Sequence, residues 1–132
     1  MLDLVGSDAD AILHNLTTND VRSLQVDASC ETFLTDVRGK TLAHVTAFRT
    51  EDGYRLLGAA GQAEAIAVHA DRYTIREDAT PTDRSGDFHA AVIAADQRDF
   101  IDRIDADFSY EVPWLGDNSL LVLASDAAML DG

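Results

Sequence analysis

Between Cys30 and Ala59 the sequence alternates with the period of two that a pleated strand imposes. Cys30, Thr32 and Leu34 alternate with Glu31, Phe33 and Thr35, a segment rich in strand-forming residues. Asp36-Val37-Arg38-Gly39-Lys40 then supplies a turn, with Gly39 able to take positive φ. Thr41–Arg49 resumes the alternation, placing Leu42, His44, Thr46 and Phe48 on one face and Ala43, Val45 and Ala47 on the other. Glu51-Asp52-Gly53 is a second turn signal, and residues 54–59 read as a third strand. Three strands joined by two tight turns form an antiparallel meander, which constrains the fold more than any other stretch.

The flanking segments supply helices. Residues 2–5 alternate weakly and read as a first strand. Ser7 offers an N-cap, Asp8 and Asp10 suit the positive end of a helix, and Ala9, Ile12, Leu13 and Leu16 recur at helical spacing. The spacing predicts a helix over residues 8–16, stopped by Thr17-Thr18-Asn19-Asp20, whose side chains bond neighbouring backbone. Residues 21–28 read as a loop with a turn. Gly61 opens a second helix with Ala63, Ile66, Ala67 and Ala70 as its apolar stripe. A strand is expected over 73–77, a loop over 79–87 with Pro81, Ser85 and Gly86, and a strand over 88–95. Asp96 would cap a third helix striped by Phe100, Ile101 and Ile104. Residues 109–118, with Pro113, Trp114 and Gly116, read as irregular or edge-like, and Leu120–Ala124 as a last buried strand. The expected fold is α+β: one domain over 1–132, with a mixed, mainly antiparallel sheet and about three helices packed on one face.

At 132 residues and 46% hydrophobic content the chain can bury a core without disulfide or metal staples. Cys30 is the sole cysteine and is expected as a small, partly buried thiol. No apolar run approaches the ~20 residues that span a bilayer, and the N-terminus lacks the basic-then-apolar pattern of a secretory signal. A cytoplasmic location is the resulting expectation. Charge is lopsided: 24 acids oppose 10 bases for a net −14, and Lys40 is the only lysine. Acids spread along the whole chain suit an Asp-rich, halophilic surface better than a single patch for a basic partner. No basic stripe exists to neutralise phosphates, so nucleic acid is not an expected partner.

The ordered motifs resemble the N-terminal part of the aminomethyltransferase family. That family comprises the T-protein of the glycine cleavage system and its relatives, including folate-binding proteins that support iron–sulfur cluster enzymes. Its Gly-x-Asp-Ala is matched by Gly6-Ser7-Asp8-Ala9, and its Phe-Leu-x-x-Leu-x-Thr-Asn-Asp-Val by the stretch from Ile12-Leu13 to Thr18-Asn19-Asp20-Val21. The strand, Lys/Arg-Gly turn and strand that follow are matched by residues 32–42. Tyr73-Thr74-Ile75-Arg76-Glu77-Asp78 resembles the family's passage from helix into the next strand. The resemblance runs from Leu4 to about Thr82. It implies a folate-binding-type domain and tetrahydrofolate or a derivative as ligand. Any activity would be one-carbon transfer.

The departures are specific. Where the glycine-cleavage enzymes carry a paired acid that orients the reacting folate nitrogen, this chain has Ala43 and His44. A neutral imidazole can act as a base near neutral pH but supplies no fixed negative charge. The family's enzymes are much longer, and the Lys-Gly-Cys-Tyr-x-Gly-Gln motif of the cluster-maintenance proteins has no match. The resemblance therefore implies a first module, which either binds folate alone, self-associates, or pairs with a separate C-terminal half. Asn19 and Asp20 either line a pterin pocket or cap the turn. Arg38 and Lys40 either meet a folate's anionic tail or sit on a solvated hairpin tip. His44 is either a pocket residue, and then the candidate base, or a partly buried histidine satisfied by neighbours. His69 with Asp71 and His89 with Asp87 lack metal-site spacing, so no metal is expected.

Overall fold

The computed structural model describes residues 1–59, 61–72, 74, 76–94, 96, 106–112 and 119–125. The chain divides into two compact units, Met1–Ser85 and Gly86–Gly132.

The first unit contains β1 (Leu2–Val5), α1 (Ala9–Leu16), β2 (Ser29–Thr35), β3 (Thr41–Arg49), β4 (Gly53–Gly58), α2 (Ala63–Asp71) and β5 (Thr80–Asp83). Its sheet has the order β2-β3-β4-β1-β5, with every described pairing antiparallel. The meander forms as the alternation predicts. Gly39 takes φ +80° at the first turn. Asp36 holds that turn, its Oδ1 accepting the Arg38 and Lys40 backbone N–H groups at 2.9 Å each. One face of the sheet carries Leu2, Leu4, Ala43, Val45, Ala47 and Leu56, and these share one core with the buried faces of α1 and α2. On β3 it is the small residues that face the helices. Ala43, Val45 and Ala47 leave room for helical side chains, while His44, Thr46 and Phe48 point the other way.

That opposite face has its own buried layer. Asp3, Arg55 and Phe48 lie abreast on β1, β4 and β3. Arg55 Nε and Nη2 donate to the two oxygens of Asp3 at 2.8 and 2.9 Å, and Arg84 Nη1 donates to the same carboxylate at 3.3 Å. Two parallel bonds with little solvent give this pair a fixed geometry that surface ion pairs lack, against the cost of desolvating both charges.

Several expectations change. Ser7 does not cap α1: Asp8 occupies the N-cap without a side-chain cap bond, and Ser7 Oγ donates to Asp78 Oδ2 at 3.1 Å. The predicted strand over 73–77 does not form at its described positions, Thr74, Arg76 and Glu77. The strand falls instead within the predicted loop, as β5, which pairs with β1 from Leu2↔Asp83 to Val5↔Thr80. Pro81 is tolerated there because β5 is the last strand of the sheet and needs no donor on its outer side.

The second unit contains β6 (His89–Ile93), β7 (Phe108–Glu111) and β8 (Leu120–Ala124) in the antiparallel order β6-β8-β7. The buried run Leu120–Ala124 is its central strand, as a continuous apolar segment requires. Residues 108–111, expected to be irregular or edge-like from Ser109 onward, form a regular edge strand. Two helices are present among the described residues rather than about three. The third predicted helix, beyond Asp96, lies outside them, as does Trp114. No described helix is long and apolar enough to cross a membrane.

Candidate functional site

The Thr17-Thr18-Asn19-Asp20 stretch lies along the outer edge of β2. Thr17 bridges Leu34, Thr18 N–H donates to the Phe33 carbonyl at 3.0 Å, and Thr18 Oγ1 accepts Phe33 N–H at 3.2 Å. Asn19 N–H reaches Thr32 Oγ1 at 3.2 Å, and Asn19 Nδ2 donates to the Glu31 carbonyl at 3.0 Å. An open strand edge is a template for aggregation, and this turn occupies it. Asp20 closes the next turn: its oxygens accept the Arg22 and Ser23 backbone N–H groups and the Ser23 hydroxyl, the last at 2.7 Å. The Ser23 hydroxyl, helped by the Ser23 and Arg22 amides, holds the Asp20 carboxyl below its ordinary value. The side chains of both predicted pterin ligands are thus engaged by the fold.

His44 stands on the adjacent strand, on the sheet face turned away from the helices. Regular pairing outward from Thr35↔Thr41 would set Ala43 opposite Phe33. A β-bulge between Leu34 and Thr35 shifts the register, so His44 lies opposite Phe33 and Thr46 opposite Glu31. The rings of Phe33 and His44 have centroids 4.8 Å apart, and His44 Nε2 lies 3.5 Å from Glu31 Oε1. Both side chains of that pair are about half exposed, at 53% and 47%. Solvent therefore weakens the attraction, but an imidazole beside a carboxylate is the arrangement a general base uses. The carboxylate nearest His44 thus comes from β2 rather than from β3 itself.

His44 also lines a cleft of about 310 Å³ with Thr46, Leu57, Ala59 and Gln62. Gln62 is the N-cap residue of α2, and its Oε1 is buried with no hydrogen-bond partner among the described residues. A buried carbonyl left unpaired is costly. Arg38 is exposed on the β2–β3 hairpin tip and does not line this cleft. The structure thus gathers Asn19 and His44 around Glu31 and leaves Arg38 outside. Among the described residues no group of three His, Cys, Asp or Glu side chains is arranged to hold a metal ion.

Glu31 and Gln62 are the residues sequence reasoning missed. Glu31 carried a partial signal, since it shares the Phe33 face of β2, but its partner depends on the bulge. Gln62 carried none beyond its place ahead of the second helix.

This antiparallel sheet with two helices on one face has an aminomethyltransferase-like fold. A solved structure of the glycine cleavage system aminomethyltransferase T from Bartonella henselae matches 93% of the chain with a TM-score of 0.76 at 13% sequence identity. The chain spans 38% of that protein's length. At such low identity the likeness is one of fold. No family model and no curated protein matches the sequence.

Proposed function

We propose that this chain binds a reduced folate, tetrahydrofolate or a derivative, without completing one-carbon transfer by itself. The observation that carries the reading is the fold likeness to an aminomethyltransferase T over 93% of the chain. The cleft at His44 and Gln62 supports a location for the pterin ring. Its amino and ring N–H groups are donors, which Gln62 Oε1 needs, and Phe33 beside His44 offers an aromatic surface. Asn19 and Asp20 act one step back in this reading, Asn19 by holding the Glu31 backbone and Asp20 by fixing the turn that carries Asn19. Arg38 takes the anionic tail only in a ligand long enough to reach the hairpin tip. Transfer chemistry would fall to His44 with Glu31, and replacing His44 with Ala without loss of a detected activity excludes that role.

Calorimetry in molar KCl is the direct test. Saturable heat with tetrahydrofolate or its formyl derivative is expected, weakened about tenfold by Gln62→Leu through loss of one buried hydrogen bond. Absence of heat with both ligands overturns the reading and leaves the fold relationship alone.

A second reading rests on Phe33, which is 45% exposed beside His44. An apolar ring on an open sheet face suits an interaction module that self-associates or pairs with a separately encoded C-terminal half. Light scattering that returns a monomer at all concentrations removes the self-association arm, and failure to capture such a second half removes the other.

A further inference from the structure

A second concave site lies on the helix side of the sheet, between the β2–β3 hairpin and α2. A groove of about 560 Å³ has Asp36 and Leu42 on its hairpin wall and Glu64, Ala65, Val68 and Arg72 on its helix wall. Its volume falls in the ~300–1,000 Å³ range of small-molecule sites. Beneath it is an enclosed hollow of about 100 Å³, lined by Leu34, Leu42, Ala43, Ala65 and Ile66, with His69 and Gln62 as its polar members. Groove and hollow share Leu42, Ala65 and His69 and so adjoin one another. His69 Nε2 lies 3.1 Å from the Thr35 carbonyl and so must donate to it, which pins α2 to the end of β2.

The bulge makes this hollow. Leu42 is the extra residue between the pairs Leu34↔Ala43 and Thr35↔Thr41, and it lines the helix-side hollow together with Ala43. Leu42 stays 44% exposed and Val68, one helical turn from Ala65, 51% exposed. Apolar surface left wet around an apolar hollow favours an apolar occupant.

The charges specify the occupant further. In a chain with 24 acids, the Arg72 guanidinium on the groove wall makes no ion pair among the described residues. Arg38 and Lys40, on the hairpin that forms the opposite wall, make none either. The Asp36 carboxylate is already committed to backbone N–H groups of its own turn. Glu64 lies eight residues before Arg72, about 12 Å away along the helix, so the groove is polarised with its cation at the far end. The C-terminus of α2 opposes an anion there with only about half a unit charge, which the full charge of Arg72 outweighs.

We propose that the groove between residues 36–42 and α2 binds a small aromatic carboxylate, its ring over the Leu42–Ala65 hollow and its carboxylate toward Arg72. The groove shares no lining residue with the His44 cleft, Gln62 being common only to that cleft and the hollow, and the proposal does not depend on folate binding. The test uses the full chain, 4-methylbenzoate as probe and methyl-resolved NMR, in KCl at a concentration where circular dichroism shows the folded state. Saturable shifts are expected at the methyls of Leu34, Leu42, Ile66 and Val68. Ala65→Leu, which exchanges two strong helix formers and fills the mouth of the hollow, should abolish them. Arg72→Gln, and 4-methylbenzamide in place of the acid, should each weaken binding about tenfold. Absent or unsaturable shifts, or shifts unchanged by Ala65→Leu in a folded chain, overturn the site. Equal affinity for acid and amide overturns the carboxylate assignment.

Discussion

At the scale of single residues, Asp20 shows how a polar motif is committed to structure. Three donors from Arg22 and Ser23 converge on its carboxylate, and its proton affinity is lowered most by the Ser23 hydroxyl. A group whose folded pKa lies below its unfolded one stabilises the fold above the unfolded value, 3.8. That contribution disappears as pH falls through the lower folded value. Ser23→Ala should therefore move the Asp20 pKa upward, toward but not to 3.8, because the two backbone donors remain. An NMR titration of the carboxyl carbon reads this directly, and an unchanged midpoint contradicts it. His44 shows the converse. Its position on the β3 face is evident from alternation, yet its neighbour Glu31 lies on another strand and is brought close only by pairing.

At the scale of elements, β4 is the hub of the first sheet, pairing with β3 on one side and β1 on the other. Its entry demands close backbone approach: a Cβ on Gly53 would stand 1.9 Å from the Leu4 carbonyl oxygen. Gly53→Ala should cost about 3 kcal/mol or more, because only backbone movement of β1 relieves the clash. Gly39→Ala makes the useful contrast. It has open space around it but φ +80°, so about 1 kcal/mol is expected. Urea midpoints of the two variants give the comparison, and equal costs would refute it. The misplaced strand also belongs to this scale. Residues 73–77 have the stronger β-forming composition, but β1 offers its free edge to Thr80–Asp83, and a four-residue ladder overrides local preference.

At the scale of the whole molecule, the net charge bears on stability. A net −14 on a chain of 132 residues opposes compaction through self-repulsion, and salt screens it within a Debye length of ~10 Å at 0.1 M and ~3 Å at 1 M. The melting temperature should rise steeply from low to molar KCl. The buried Asp3–Arg55 pair is shielded from solvent and changes little over the same range. A melting temperature independent of salt would contradict the screening account.

The sequence by itself determined whatever rests on local period and local bonding. The meander over residues 29–58, the two helical stripes, the hairpin turn at Asp36–Gly39 and the buried run Leu120–Ala124 all follow from spacing within a few residues. Tertiary structure alone decided what depends on register. It set β1 between β4 and β5, brought Glu31 to His44, turned Leu42 toward α2 and left Gln62 Oε1 buried beside a cleft. The physical reason is the bulge and the sheet order. A one-residue shift exchanges the faces of a strand, and no local pattern records which distant strand will lie alongside.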